Sequence, residues 1–244
     1  NIHYNLSRME TLKEELDEYY LRHTGLAKGS LGSMNLSNPD KNVIYSSNIL
    51  GNNLAVGGGF ALGNKVKNPN GVVFITTGDG AIEEGVFFES LLFLKSNNLP
   101  SVIIVENNEW SLGTKIEERR ANIDLKKLAS SIGIDYIFLE NNDPFEYVNQ
   151  LELLRSNAES NKSPILIEVK LTTFGFWYLK NQDYPNGKFI NYHAGPAPDL
   201  KVEEYPIIKH SYEDPLHVLT KYEPMEILKR LAIDLQEQLE ADIS

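Results

Sequence analysis

Four short, mostly apolar runs punctuate the middle of the chain: Val72-Val73-Phe74-Ile75, Ser101-Val102-Ile103-Ile104-Val105, Tyr136-Ile137-Phe138-Leu139 and Pro164-Ile165-Leu166-Ile167-Glu168-Val169. They do not alternate apolar with polar, so each reads as a strand buried on both faces. Between them lie segments of helical spacing: Glu84 to Lys95 with Val86, Phe87, Leu91 and Leu92, then Leu125 to Ile132, then Pro144 to about Asn157. Such alternation specifies an α/β fold, a parallel sheet with helices on both faces and right-handed crossovers. The 244 residues suit one such domain and can bury a core without staples.

The flanks are less regular. Ser7-Arg8-Met9-Glu10 fits a capping box, and Leu12, Leu16, Tyr19 and Tyr20 extend a helix to about Arg22, with Gly25 as its stop. Residues 25–45 are rich in Gly, Ser, Asn and Pro and read as an irregular loop. Asn48 to Lys65 reads as a helix despite Gly51, Gly57, Gly58, Gly59 and Gly63. Each glycine costs about 1 kcal/mol relative to Ala in a helix. Close approach of a neighbour or a ligand is the expected compensation. Residues 172–218 carry five prolines and read as a long irregular region, and a last amphipathic helix is expected over 223–241. The chain opens with Asn1 rather than Met, so its natural start is expected upstream, and the whole is read as a single domain.

Composition narrows the function. There are 34 Asp+Glu against 23 Lys+Arg, a formal charge of −11, which argues against a nucleic-acid partner. Acidic pairs such as Glu14-Glu15 and Glu117-Glu118 read as solvated surface. With no Cys, disulfides, thiolate nucleophiles and Cys-ligated metals are excluded. No run approaches the roughly 18 apolar residues of a membrane span, and no secretory signal is evident. A cytoplasmic, membrane-free location is the expectation.

The sharpest chemical signal is Gly78-Asp79-Gly80, directly after the first strand. Ligands of parallel sheets bind beyond the carboxyl ends of the strands. The two glycines are expected to permit a tight turn and close backbone approach. The following helix offers free amides to a phosphate, and Asp79 offers a hard oxygen to Mg²⁺. The second strand delivers Asn107-Asn108 at its own end, and residues 81 to 106, 26 in all, separate it from Gly80. That is the length of one crossover, so Asp79 and Asn108 are expected at the same edge of the sheet, where both can reach one ion. Each motif alone is also an ordinary turn.

This G-D-G, 26 residues, N-N pattern is similar to the motif of thiamine diphosphate-dependent enzymes. Residues 78–89 and 105–114, together with Lys28-Gly29-Ser30-Leu31-Gly32-Ser33-Met34 and the glycines around Gly57, resemble the alpha subunit of 2-oxo acid dehydrogenases. The resemblance runs from residue 3 to about 170. It implies a thiamine diphosphate-binding fold, with Asp79, the Asn108 side chain and the Trp110 carbonyl on Mg²⁺. It also implies Gly78, Gly80 and Ala81 around the diphosphate, and Asn48 and Leu50 at the aminopyrimidine. Leu112 would bend the cofactor, or simply be core.

The chain departs from the family pattern after the fourth strand. A His-bearing segment is expected there, and Phe174-Gly175-Phe176-Trp177-Tyr178 stands in its place. His193 is the expected substitute, with residues 175–191 as an insertion, though it could equally be a solvent-exposed loop His. Asn35 stands where the family has a His, which leaves the substrate open, and His3 would border the site. In two-chain members the beta subunit supplies the Glu that activates the cofactor. The resemblance therefore implies an α₂β₂ assembly that decarboxylates a 2-oxo acid and passes the acyl unit to the lipoyl group of an acyltransferase. Two alternatives remain at this point: half of a split transketolase-like enzyme, and a cofactor-free structural or regulatory subunit.

Overall fold

The computed structural model describes residues 11–32, 37–191, 202 and 206–243. In chain order its principal elements are α1 (Lys13–Tyr19), α2 (Asn52–Lys67), β1 (Val73–Gly78), α3 (Gly85–Ser96), β2 (Ser101–Asn107), β3 (Trp110–Ser111), β4 (Thr114–Lys115), α4 (Ile116–Arg119), α5 (Leu125–Ile132), β5 (Asp135–Leu139), α6 (Pro144–Asn161), β6 (Pro164–Lys170), β7 (Trp177–Leu179), β8 (Lys188–Ile190), α7 (Pro215–Leu219) and α8 (Met225–Ile243). The main sheet is parallel, in the order β1-β2-β6-β5.

The apolar strands divide their side chains between two cores. On one face Ile75, Ile103, Val105 and Leu166 pack with Leu54 and Ala61 of α2, Phe87, Leu91 and Leu94 of α3, and Leu125 and Ala129 of α5. On the other, Val102, Ile165, Ile167 and Val169 meet Leu154 and Ala158 of α6. The central strands β2 and β6 are thus covered on both faces, as their unbroken apolar runs require, whereas on the edge strands β1 and β5 Phe74 and Phe138 stay 44% and 46% exposed, so those two are not buried on both faces as expected. Burying each large side chain such as Phe87 stabilises the fold by about 1.5–3 kcal/mol. Local chemistry sets the helix ends: Asp124 caps α5 and Gly133, at φ +78°, closes it, while Asp143 caps α6 with Pro144 in its first turn.

Several elements depart from the sequence expectation. Gly51, at φ +76°, breaks the helix expected from Asn48, so α2 starts at Asn52. In α1 no residue of the expected apolar stripe is fully buried and Tyr20 is exposed, while the acidic residues Glu15, Asp17 and Glu18 go inside. Glu15 is therefore not solvated surface. Burial alone would raise the Glu18 carboxyl, but backbone amides of Ala27, Gly29, Leu31 and Gly32 donate to it and hold it below the usual carboxylate range. Gly25 is not a helix stop, since α1 has already ended; a Cβ there would lie 2.5 Å from the Glu18 backbone. The region 172–218 is not wholly irregular. It holds the β7–β8 hairpin and α7, which Asp214 caps with Pro215 at its start, the same Asp-Pro device that opens α6. The capping box at Ser7–Glu10 lies outside the described residues.

The glycines of α2 separate by environment. A Cβ on Gly57 would sit 2.6 Å from the buried Ile75 side chain, whereas Gly59 and Gly63 face open space. Gly57→Ala is expected to destabilise the chain by about 1–3 kcal/mol through overpacking. Gly59→Ala should stabilise it by about 0.5–1 kcal/mol through helix propensity. Urea titration of the isolated chain measures both. A neutral Gly57→Ala or a costly Gly59→Ala would contradict this packing.

Candidate functional site

β1 and β2 pair in a register that sets Gly78 opposite Glu106, and the Asp79 amide donates to the Glu106 carbonyl at 3.1 Å. The carboxyl ends of both strands therefore open at one place, and Asp79 and Asn107-Asn108 emerge side by side, as the crossover length implied. The neighbouring β6 closes the row, since the Leu171 amide donates to the Asn107 carbonyl at 2.8 Å.

Asp79 is 3% exposed. Burial pushes its carboxyl above the ordinary carboxylate value, and the Arg119 guanidinium opposes that rise. Arg119 Nη2 lies 3.0 Å from Asp79 Oδ2. The same guanidinium reaches Glu83 Oε1 at 2.9 Å and the Thr114 carbonyl at 2.7 Å, and Arg120 Nε meets Glu83 Oε1 at 3.0 Å. Two carboxylates thus face two guanidiniums. Sequence reasoning missed both arginines. The signal available was an Arg-Arg pair in an acidic chain, just past the Asn-Asn motif.

On the β2 side, Asn108 Oδ1 accepts from the Trp110 amide at 3.2 Å and Asn108 Nδ2 donates to Thr173 Oγ1 at 3.1 Å. Trp110 opens the tiny β3–β4 hairpin, where it pairs with Lys115. The Ile116 amide donates to the Glu109 carbonyl at 3.1 Å, so the Glu109–Ile116 pair carries the hydrogen bonds and Trp110–Lys115 does not. The Trp110 amide and carbonyl then both point away from β4, on the side where Asn108 Oδ1 sits. A carboxylate from the β1 side and an amide oxygen and a peptide carbonyl from the β2 side therefore emerge at the same end of the sheet.

The turn glycines do a different job from the one expected. Gly80 has an ordinary helical conformation, and neither Gly78 nor Gly80 has a positive φ. What demands glycine at 80 is Ser111, whose Oγ would lie 2.7 Å from an added Cβ. A short 3₁₀ turn, Ala81–Glu83, follows, and the Gly80 and Ala81 amides donate to no backbone acceptor among the described residues. Thr77 Oγ1, two residues before Asp79, is buried and has no partner among them either. Ala81 is buried.

Leu112 forms the β3–β4 tip at φ +51° and is 65% exposed. It is not core. A non-glycine residue in the left-handed region holding an apolar side chain outward is a costly arrangement of the kind found at binding sites. Asn48 and Leu50 are exposed in the loop before α2. Gly51 anchors that loop against the start of α3, where its Cβ would be 2.7 Å from Val86 Cγ1. That brings the loop beside the turn after Asp79. His193, His3 and Asn35 lie outside the described residues. Among the described residues, no three His, Cys, Asp or Glu side chains cluster as a metal site, and the oxygen set above contains just one of these.

The model of the family described as "Dehydrogenase E1 component" matches residues 5–174. A pyruvate dehydrogenase E1 component subunit alpha from Rickettsia prowazekii (strain Madrid E) is 33% identical over 158 residues, 65% of this chain and 48% of that protein. The protein of the same name from Rhizobium meliloti (strain 1021) is 29% identical over 148 residues, 61% of this chain and 42% of that one. The chain thus spans about half the length of the curated relatives it matches. Among solved structures, the benzoylformate decarboxylase of Polynucleobacter necessarius is similar at 21% identity and a TM-score of 0.41, over 55% of this chain and 26% of that one. With 170 of its 244 residues inside the family match, the chain belongs to the dehydrogenase E1 component family.

Proposed function

We propose that this chain is the alpha subunit of a two-chain enzyme. With thiamine diphosphate and Mg²⁺ it decarboxylates a 2-oxo acid and passes the acyl unit to a lipoyl group. The observation that carries this reading is the emergence of Asp79 and Asn108 from the same ends of two paired strands.

The residues present fit the group. Asp79, Asn108 Oδ1 and the Trp110 carbonyl are hard oxygen donors, the set that Mg²⁺ takes together with phosphate oxygens. The Gly80 and Ala81 amides are free to donate to a diphosphate, and the unpartnered Thr77 hydroxyl adds a polar atom two residues from Asp79. Bound there, the cofactor supplies a ring that adds to the substrate carbonyl and accepts the electron pair released with CO₂. The protein's part is to bind and orient. Arg119 favours the ionised form of Asp79, which burial disfavours and which a metal requires. Leu112 presents an apolar wedge, and Asn48 and Leu50 border the aminopyrimidine end. His193 is assigned to the diphosphate side, the role that the resemblance gives a His in this stretch. A beta subunit completes the site with the activating Glu in an α₂β₂ assembly, and a lipoyl acyltransferase takes the product.

Calorimetric titration with thiamine diphosphate, beta chain present, should show binding that requires Mg²⁺. Asp79→Ala should abolish that Mg²⁺-dependent binding while urea unfolding stays cooperative. A variant that binds like the parent would remove Asp79 from the metal site. Leu112→Gly separates strain from packing. It should raise stability by about 0.5 kcal/mol, as relief of left-handed strain exceeds glycine's entropic cost, and should weaken cofactor binding. A net loss of stability would mean that Leu112 is packed rather than strained.

A further inference from the structure

The two ends of a carboxamide are nearly the same size, so shape does not decide which end faces an ion; hydrogen bonds do. At Asn108 one contact decides it and a second holds the far end in place. The Trp110 amide can only donate, so the atom facing it at 3.2 Å is Oδ1. The opposite end, Nδ2, donates to the Thr173 hydroxyl at 3.1 Å. An ion on Oδ1 would draw on the oxygen that Trp110 also uses. The Thr173 contact is at the far end of the amide and is untouched by that competition.

Thr173 is itself held firmly. It follows β6, the strand paired with β2, in register Asn107 to Lys170. Its carbonyl accepts from Asn191 Nδ2 at 2.6 Å, and Asn191 Nδ2 also reaches the Gly175 carbonyl at 3.0 Å. Asn191 follows β8, so this tie closes the base of the β7–β8 hairpin. The hairpin also leans on the site through Phe189, whose ring packs edge-on to Trp110 at 6.2 Å. Residues 173–191 thus clasp both β2-side oxygen donors, in the stretch where the sequence lacks the expected His.

We propose that Thr173 is a positioning residue for Asn108, anchoring the far end of its amide so that the oxygen selected by the Trp110 amide stays aimed at the divalent ion. The inference rests on the metal site of the proposed function and adds to it a residue outside the Asp-Asn motif.

The test uses the full chain with its beta partner, saturating thiamine diphosphate and Mn²⁺ as probe, with free Mn²⁺ read by EPR. Thr173→Val keeps the shape and removes the acceptor. It should weaken Mn²⁺ binding about 10-fold or more, the usual effect of losing a partner of a metal ligand, with the metal-free thermal midpoint unchanged. Thr173→Ser should restore parental affinity. In an Asn108→Ala background, Thr173→Val should have no further effect. Parental Mn²⁺ affinity in Thr173→Val would overturn the assignment, as would an equal further loss in the Asn108→Ala background or failure of Thr173→Ser to rescue. A parental protein that binds no Mn²⁺ would instead bring down the metal site itself, and this inference with it.

Discussion

Everything at this site depends on the parallel pairing of β1 with β2. Six consecutive pairs, from Val73–Ser101 to Gly78–Glu106, fix how far each strand runs before it turns. A slip of one residue would send every side chain to the opposite face. The apolar pattern forbids that slip, because Ile75 and Ile103 must go to the α2–α3 side while Val102 goes to α6. The core therefore sets the register, and the register sets Asp79 beside Asn107-Asn108. No residue of the site has to find its neighbour on its own.

The same burial that fixes the site makes it expensive. Asp79 is nearly inaccessible, and an isolated carboxylate there would tend to take up a proton. Arg119 opposes this, and Glu83 and Arg120 complete a closed set of two charges of each sign. Breaking one partner out of such a cluster typically costs about 3–5 kcal/mol. Arg119 thus favours the charge at Asp79 against the burial that disfavours it. On the other strand the corresponding work falls to neutral groups, the Trp110 amide and the Thr173 hydroxyl.

The sheet was legible in the sequence because strands buried on both faces must be apolar throughout, and the crossover length then placed Asp79 near Asn108. Local polar chemistry was less legible. In α1 the stripe Leu12, Leu16, Tyr19 and Tyr20 looked like the inner face, yet Glu18 lies inside because four loop amides converge on it. That convergence depends on the turn of residues 25–32, which periodicity does not encode. Arg119 and Thr173 escaped for a related reason. Arg119 meets Asp79 across 40 residues of chain and Thr173 meets Asn108 across 65, and a tertiary contact leaves no periodic trace. The glycines of α2 show the same limit. Their abundance pointed to close approach, which holds at Gly57 but not at Gly59 or Gly63, and only packing tells them apart.

The most direct measurement is anomalous diffraction from crystals of the chain with its partner, grown with thiamine diphosphate and Mn²⁺. One manganese peak is expected within about 2.0–2.3 Å of an Asp79 carboxylate oxygen, Asn108 Oδ1 and the Trp110 carbonyl. A fully loaded crystal whose manganese lies away from both strand ends would contradict it.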